Sequence, residues 1–112
     1  MGVMKFRLPF IATVLFAAVA VVAIVHQASQ YEAGFNAAVV GSDMSEVISR
    51  MGGPSVRETP SQPFLRYASS RCESPCAQRL WWEHPVLRGL EAWSAEFDLQ
   101  GRLLHKAHWV SP

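Results

Sequence analysis

Two cysteines sit four positions apart in the stretch Ser69-Ser70-Arg71-Cys72-Glu73-Ser74-Pro75-Cys76-Ala77 of a 112-residue chain. In an oxidising compartment such a pair most simply forms a local disulfide. The loop it closes is so short that the entropic gain is modest. Free thiols and a redox-active dithiol are the other two readings. Redox-active pairs favour Cys-x-x-Cys at a helix N-terminus, whereas three residues, Pro75 among them, separate Cys72 from Cys76. A structural staple is therefore preferred.

The remaining reactive side chains do not assemble into a catalytic set. His105 and His108 point to opposite faces of a regular strand, so a zinc site would need His84 with a cysteine or carboxylate from elsewhere. Glu91, Glu96 and Asp98 are close in sequence, but Asp98 reads better as a turn residue than as half of a glycosidase-like pair. Gly52-Gly53-Pro54 ends a helix rather than opening one, so it cradles no phosphate. No catalytic, cofactor or metal residue is assigned, no small-molecule substrate is evident, and a non-enzymatic protein is expected. The four tryptophans are the best candidates for recognition. Trp81 and Trp82 are adjacent and face opposite ways on a strand, so only one is expected to enter the core. The other becomes an exposed anchor or packs against a loop, such as the cysteine loop, or at a membrane surface. Trp81, Trp82, Trp93 and Trp109 are the candidate interface.

The elements that position these residues begin with an apolar run. No charge occurs from Pro9 to Val25, and Thr13 is the only polar residue from Phe10 to Val25. Leu8 to Ala28 is long enough to span a hydrocarbon core of ~30 Å. Lys5 and Arg7 precede it, which keeps the N-terminus in the cytoplasm and exports the chain beyond the run. A signal peptide has a shorter apolar region and small residues at −3 and −1. Cleavage after Ala28 would put His26 at −3, so an uncleaved anchor over residues 1–28 is preferred to a cleaved signal, and both to a buried core helix. The exported domain is residues 29–112. Net charge is +1 and the arginines are spaced singly, so no nucleic-acid surface is expected.

Ser29 to Val40 reads as a short helix, weakened by Gly34 at a cost of about 1 kcal/mol relative to alanine. From Gly41 to Pro54 the signals agree. Asp43 is the N-cap, Glu46 completes a capping-box-like arrangement, and Met44, Val47, Ile48 and Met51 share one face. Gly52 or Gly53 supplies a left-handed C-terminal residue, and Pro54 stops the helix. Short strands are expected at Ser55–Thr59 and Ala77–His84, with an edge piece at Phe64–Tyr67. A hairpin then joins Leu90–Asp98 to Arg102–Val110 through Leu99-Gln100-Gly101. On the return strand Leu103, His105, Ala107 and Trp109 should share one face. The fold class is α+β: two short helices on a three- to four-stranded antiparallel sheet (α-α-β-β-β), preceded by one membrane-spanning helix.

Gly41, Val47, Met51, Gly52 and Pro54, with Asp43 at the capping position, fall at the spacing of a helix signature. Phe97-Asp98-Leu99-Gln100-Gly101-Arg102-Leu103 matches a second one, a strand end and turn. Together they resemble the SmpA/OmlA (BamE-like) small envelope proteins over about residues 30–110. The resemblance implies a periplasmic domain that binds protein partners, an accessory or scaffold role in outer-membrane protein assembly or envelope integrity. Three departures stand out: no lipobox cysteine comes after the apolar run, Ser42 replaces the methionine after the glycine, and the Cys72–Cys76 loop is inserted. A small bacterial envelope protein is expected, single-pass in the inner membrane with its C-terminal domain in the periplasm. A released periplasmic domain, an outer-membrane association and a periplasmic enzyme inhibitor are the alternatives.

Overall fold

The computed structural model describes residues 2–111, with side chains from residue 9 onward. Lys5 and Arg7, on which the expected orientation rests, therefore lie outside the described side chains. The first element, α1 (Gly2–Ala37), is a single 36-residue helix. The expected separate helix after the apolar run is thus its last turns: no helix breaker interrupts residues 26–33, so the helix continues. Thr13, the polar exception, donates its hydroxyl to the Pro9 carbonyl at 2.8 Å, which satisfies it within the helix. The apolar stretch is not covered by the rest of the chain; Phe16 is 78% exposed. It is not a buried core helix.

A second helix, α2 (Met44–Met51), carries Val47 and Met51 into the core, and Met44 and Ile48 pack against it. Asp43 occupies the N-cap position, but its side chain caps no backbone N–H; it accepts from Ser45 Oγ at 2.6 Å. Glu46 likewise forms no capping box and pairs with Arg50 at 3.2 Å, one turn on. Gly52 ends the helix with φ 92° and ψ 177°. That is a glycine-only conformation, though not the left-handed helical one expected.

Four antiparallel strands, β1 (Val56–Glu58), β2 (Gln78–Glu83), β3 (Glu91–Phe97) and β4 (Leu103–Val110), pair in sequence order. Phe64–Tyr67 is not a strand. Asp98 makes the β3–β4 turn: its Oδ1 accepts from the Gln100 and Arg102 amides, each at 2.9 Å, and Gly101 takes φ 76°. The pairing is irregular at one place. Phe97 faces Leu103 and Glu96 faces His105, so Leu104 is an extra residue. This bulge reverses the alternation. Leu103 joins the helix-side core, where Lys106 and His108 also meet Phe35, while Trp109 belongs to the opposite cluster. The regular face expected for Leu103 and Trp109 is corrected accordingly.

Both faces of the sheet are covered. On one, Tyr31 and Ala38 of α1 with Val47 and Met51 of α2 share a core with Leu80, Trp82, Trp93, Ala95, Phe97 and Leu103. On the other, the irregular segment 59–77 lays Phe64, Tyr67 and Ala68 against Trp81, Ala92 and Trp109. Trp81 and Trp82 are therefore both fully buried, and the expectation that only one enters the core fails because an irregular segment closes the second face.

Candidate binding site

Segment 59–77 carries no regular structure, so its polar contacts must hold it. Glu58, fully buried on β1, provides them. Its carboxylate accepts from Arg79 Nε at 2.6 Å and Nη2 at 3.0 Å, from Trp81 Nε1 at 2.9 Å and from the Cys72 amide at 3.3 Å. Arg79, itself buried, also donates to the Ser70 carbonyl at 2.8 Å. Glu83 repeats the device at the far end of β2, accepting from Arg66 Nη1 at 2.7 Å and Tyr67 Oη at 2.8 Å. The Cys72–Cys76 disulfide closes the end of the segment, with both cysteines buried. A buried disulfide is shielded from exchange with other thiols, which fits the staple.

Burial raises the Glu58 pKa, but the hydrogen bonds from Arg79 and Trp81 outweigh it, and the carboxyl titrates below its ordinary 4.5. For Tyr67, burial comes first and the neighbouring Glu83 carboxylate adds to it, so its hydroxyl is raised. A carboxyl lowered in the folded state stabilises fully above its ordinary range and loses that contribution as pH falls through the folded value. Melting temperature is expected to decline below about pH 4.5, and Glu58→Gln should flatten that acid limb. Removing the disulfide with Cys72→Ser/Cys76→Ser should cost about 2 kcal/mol in denaturant titration, the loop-closure value for so short a ring.

Held in this way, the disulfide loop faces the β3–β4 turn across an open groove of about 570 Å³. Pro60, Pro75 and Ala77 line one part of it, and Leu99 and Leu104 another. The bulge that displaces Leu104 from the regular alternation sends it to this groove. Leu99 at the turn is 88% exposed. Asp98 also borders the groove, but its Oδ1 is engaged by the turn amides. The groove is apolar with a polar rim, suited to an aliphatic or aromatic side chain of a partner.

The predicted interface tryptophans are not brought together on a surface. Trp81, Trp82 and Trp93 are buried and Trp109 is half-buried, so the first three present no face to a partner. Trp82 donates to the Gly52 carbonyl at 2.8 Å and Trp109 to Ser94 Oγ at 2.9 Å. Two of the histidines, His84 and His108, are explained by local packing, and His105 is exposed. His84 and His108 both stack on Trp93, and both approach Glu91, at 3.9 and 3.1 Å. The Val86 and Leu87 amides donate to His84 Nδ1, each at 3.1 Å, which leaves the proton on Nε2 and no lone pair there for a metal. Among the described residues no three His, Cys, Asp or Glu side chains converge as a metal site would require.

The two signature segments do come together. Asp43 bridges to Arg102, the Met44 amide donates to the Gly101 carbonyl, and the Leu103 amide to the Ser42 carbonyl, both at 2.8 Å. Gly41, Asp43, Gly101 and Arg102 thus form one junction between helix and hairpin, from which Val47, Gly52 and Pro54 extend along α2 and Phe97 and Asp98 along β3 and its turn. Comparison of the chain with known protein families, with curated proteins and with solved structures finds no match.

Proposed function

We propose that this chain is a non-enzymatic binding module of the SmpA/OmlA-like kind, tethered to the inner membrane by α1, with its α+β domain in the periplasm. It engages an envelope protein through the groove between the disulfide loop and the β3–β4 turn. The observation that carries this reading is the groove itself, with Leu99 exposed beside it at the end of the domain away from the apolar helix. Because both sheet faces are covered, recognition falls to surfaces off those faces, and the groove is one of them. The contact between the two signature segments supports the family likeness, since residues far apart in sequence, Asp43↔Arg102 and their neighbours, form one structural unit. Retention of the apolar segment is supported by α1 running unbroken past Ala28 to Ala37. The missing lipobox cysteine favours the inner membrane over a lipid-anchored outer-membrane position.

Site-specific photo-cross-linking tests the groove. Photoreactive benzoylphenylalanine in place of Leu99 should give one discrete adduct with an envelope protein, and the same group in place of exposed Arg57 should not. Leu104→Asp should suppress the adduct without lowering the melting temperature. Equal adducts from both positions, or none from Leu99, would remove the groove from consideration.

A further inference from the structure

Leu99 and its groove occupy one end of the domain; the opposite end carries a second apolar patch. The β2–β3 turn exposes Val86, Leu87 and Leu90, and Val110 at the end of β4 lies beside them, 64% exposed. The Ser111 amide donates to the Leu90 carbonyl at 2.7 Å, which holds Val110 and the turn together. Two cations border the patch. Arg88 is exposed in the turn and has no ion-pair partner among the described residues. Arg66, half-exposed, lines a smaller groove of about 190 Å³ with Tyr67, Gly89 and Trp109.

The contacts fix the position of this end relative to α1. Tyr31 packs edge-on against Trp93, and the Phe35 carbonyl accepts from Lys106 Nζ at 2.6 Å. Beyond the helix, the Gly41 amide donates to the Leu103 carbonyl at 2.8 Å. Trp93, Lys106 and Leu103 step along the sheet in the same order as Tyr31, Phe35 and Gly41 step along the chain. Helix and strands therefore run alongside one another. The longest extent of 69 Å agrees with this: about 43 Å of helix precedes Tyr31, and about 20 Å of strand runs from Trp93 to the distal turn. Leu90 lies three residues before Trp93, about 10 Å, which matches about seven residues of helix before Tyr31. The β2–β3 turn is thus level with Ile24, inside the apolar run and about 6 Å short of Ala28.

We propose that the β2–β3 turn is seated in the same phospholipid bilayer that α1 crosses. Val86, Leu87, Leu90 and Val110 lie at the acyl boundary, and Arg66 and Arg88 lie at the lipid phosphates. The depth is that of an interfacial element, about 5–10 Å, and arginine is suited to phosphate by its planar set of donors. This rests on α1 being a retained span. Two attachments, helix and turn, fix the tilt of the domain and direct the Leu99 groove away from the membrane.

Spin-label accessibility on the full chain in phosphatidylcholine nanodiscs separates the seated turn from the anchor. Labels are placed singly through Ala17→Cys in α1, Leu87→Cys and Leu90→Cys in the turn, and Leu99→Cys at the far end. Tryptophan fluorescence checks that each labelled protein is folded. Labels at Ala17, Leu87 and Leu90 should collide preferentially with oxygen, and the label at Leu99 with a water-soluble nickel chelate. Should Ala17 be lipid-embedded while Leu87 and Leu90 behave like Leu99, the seated turn is wrong and the anchor stands. Should Ala17 itself be aqueous, the anchor fails and the seated turn fails with it.

Discussion

Glu58→Ala is expected to lower the unfolding free energy by about 3–5 kcal/mol, the usual loss when one partner of a buried ion pair is removed. The Arg79 guanidinium would keep only its bond to the Ser70 carbonyl, in a site where it is 4% exposed. Trp81 Nε1 and the Cys72 amide would each lose their acceptor as well. Since those contacts hold segment 59–77 on the sheet, the loss should open the second face and expose Trp81. Thermal unfolding of the full chain in detergent should show a midpoint lowered by on the order of 12 °C or more, with red-shifted tryptophan emission. The double variant Glu58→Leu/Arg79→Met should be less destabilised than the two single variants combined, because no charge is left buried alone. A loss below about 1 kcal/mol for Glu58→Ala, the level of an exposed pair, would mean that the network does not hold the segment.

Gly34→Leu should be the most damaging change on the helix side. A Cβ at Gly34 would lie 2.6 Å from Met51 Cγ and 3.0 Å from both the Arg50 carbonyl carbon and the Met51 nitrogen. Met51 is 1% exposed, so displacing its side chain presses on the surrounding core, and two of the three close atoms belong to the backbone of α2. Overpacking of this kind costs about 1–3 kcal/mol, and leucine belongs at the top of that range. Gly34→Ala should fall lower, since better helix propensity returns about 1 kcal/mol. Gly53→Ala is the control, for its Cβ would meet nothing within 4 Å. Equilibrium unfolding in denaturant should rank the three accordingly; Gly34→Leu matching Gly53→Ala would contradict the close helix contact.

These two sites also mark where the sequence alone is a poor guide. The apolar helix, α2 with its buried Val47 and Met51, the β3–β4 hairpin and the disulfide are all legible in it. Each depends on local signals: an uncharged run, a 3.6-residue period, Asp98 and Gly101 in a tight turn, two cysteines close together. Gly34 reads as a weak point because propensity is local, whereas its reason is a contact with Met51 of α2, on the next helix. Glu58 and Arg79 lie 21 residues apart, and nothing near either announces burial. A charged residue on a short strand reads as solvent-facing until something covers that face. Segment 59–77, the cover, has no period to find, so no local signal puts Trp81 in a core alongside Trp82. The bulge at Leu104 is hidden for a similar reason. Its residues alternate acceptably in either register, and only the pairing of Phe97 with Leu103 decides between them. The groove, made by that bulge and the disulfide loop together, is out of reach for both reasons.

The proposed retention of the domain at the membrane through its apolar helix is tested most directly by intact-mass measurement on the native protein after membrane fractionation. The expected result is a membrane-bound species, resistant to carbonate extraction, whose mass includes residues 1–28. A soluble species whose mass begins near residue 29 would contradict it.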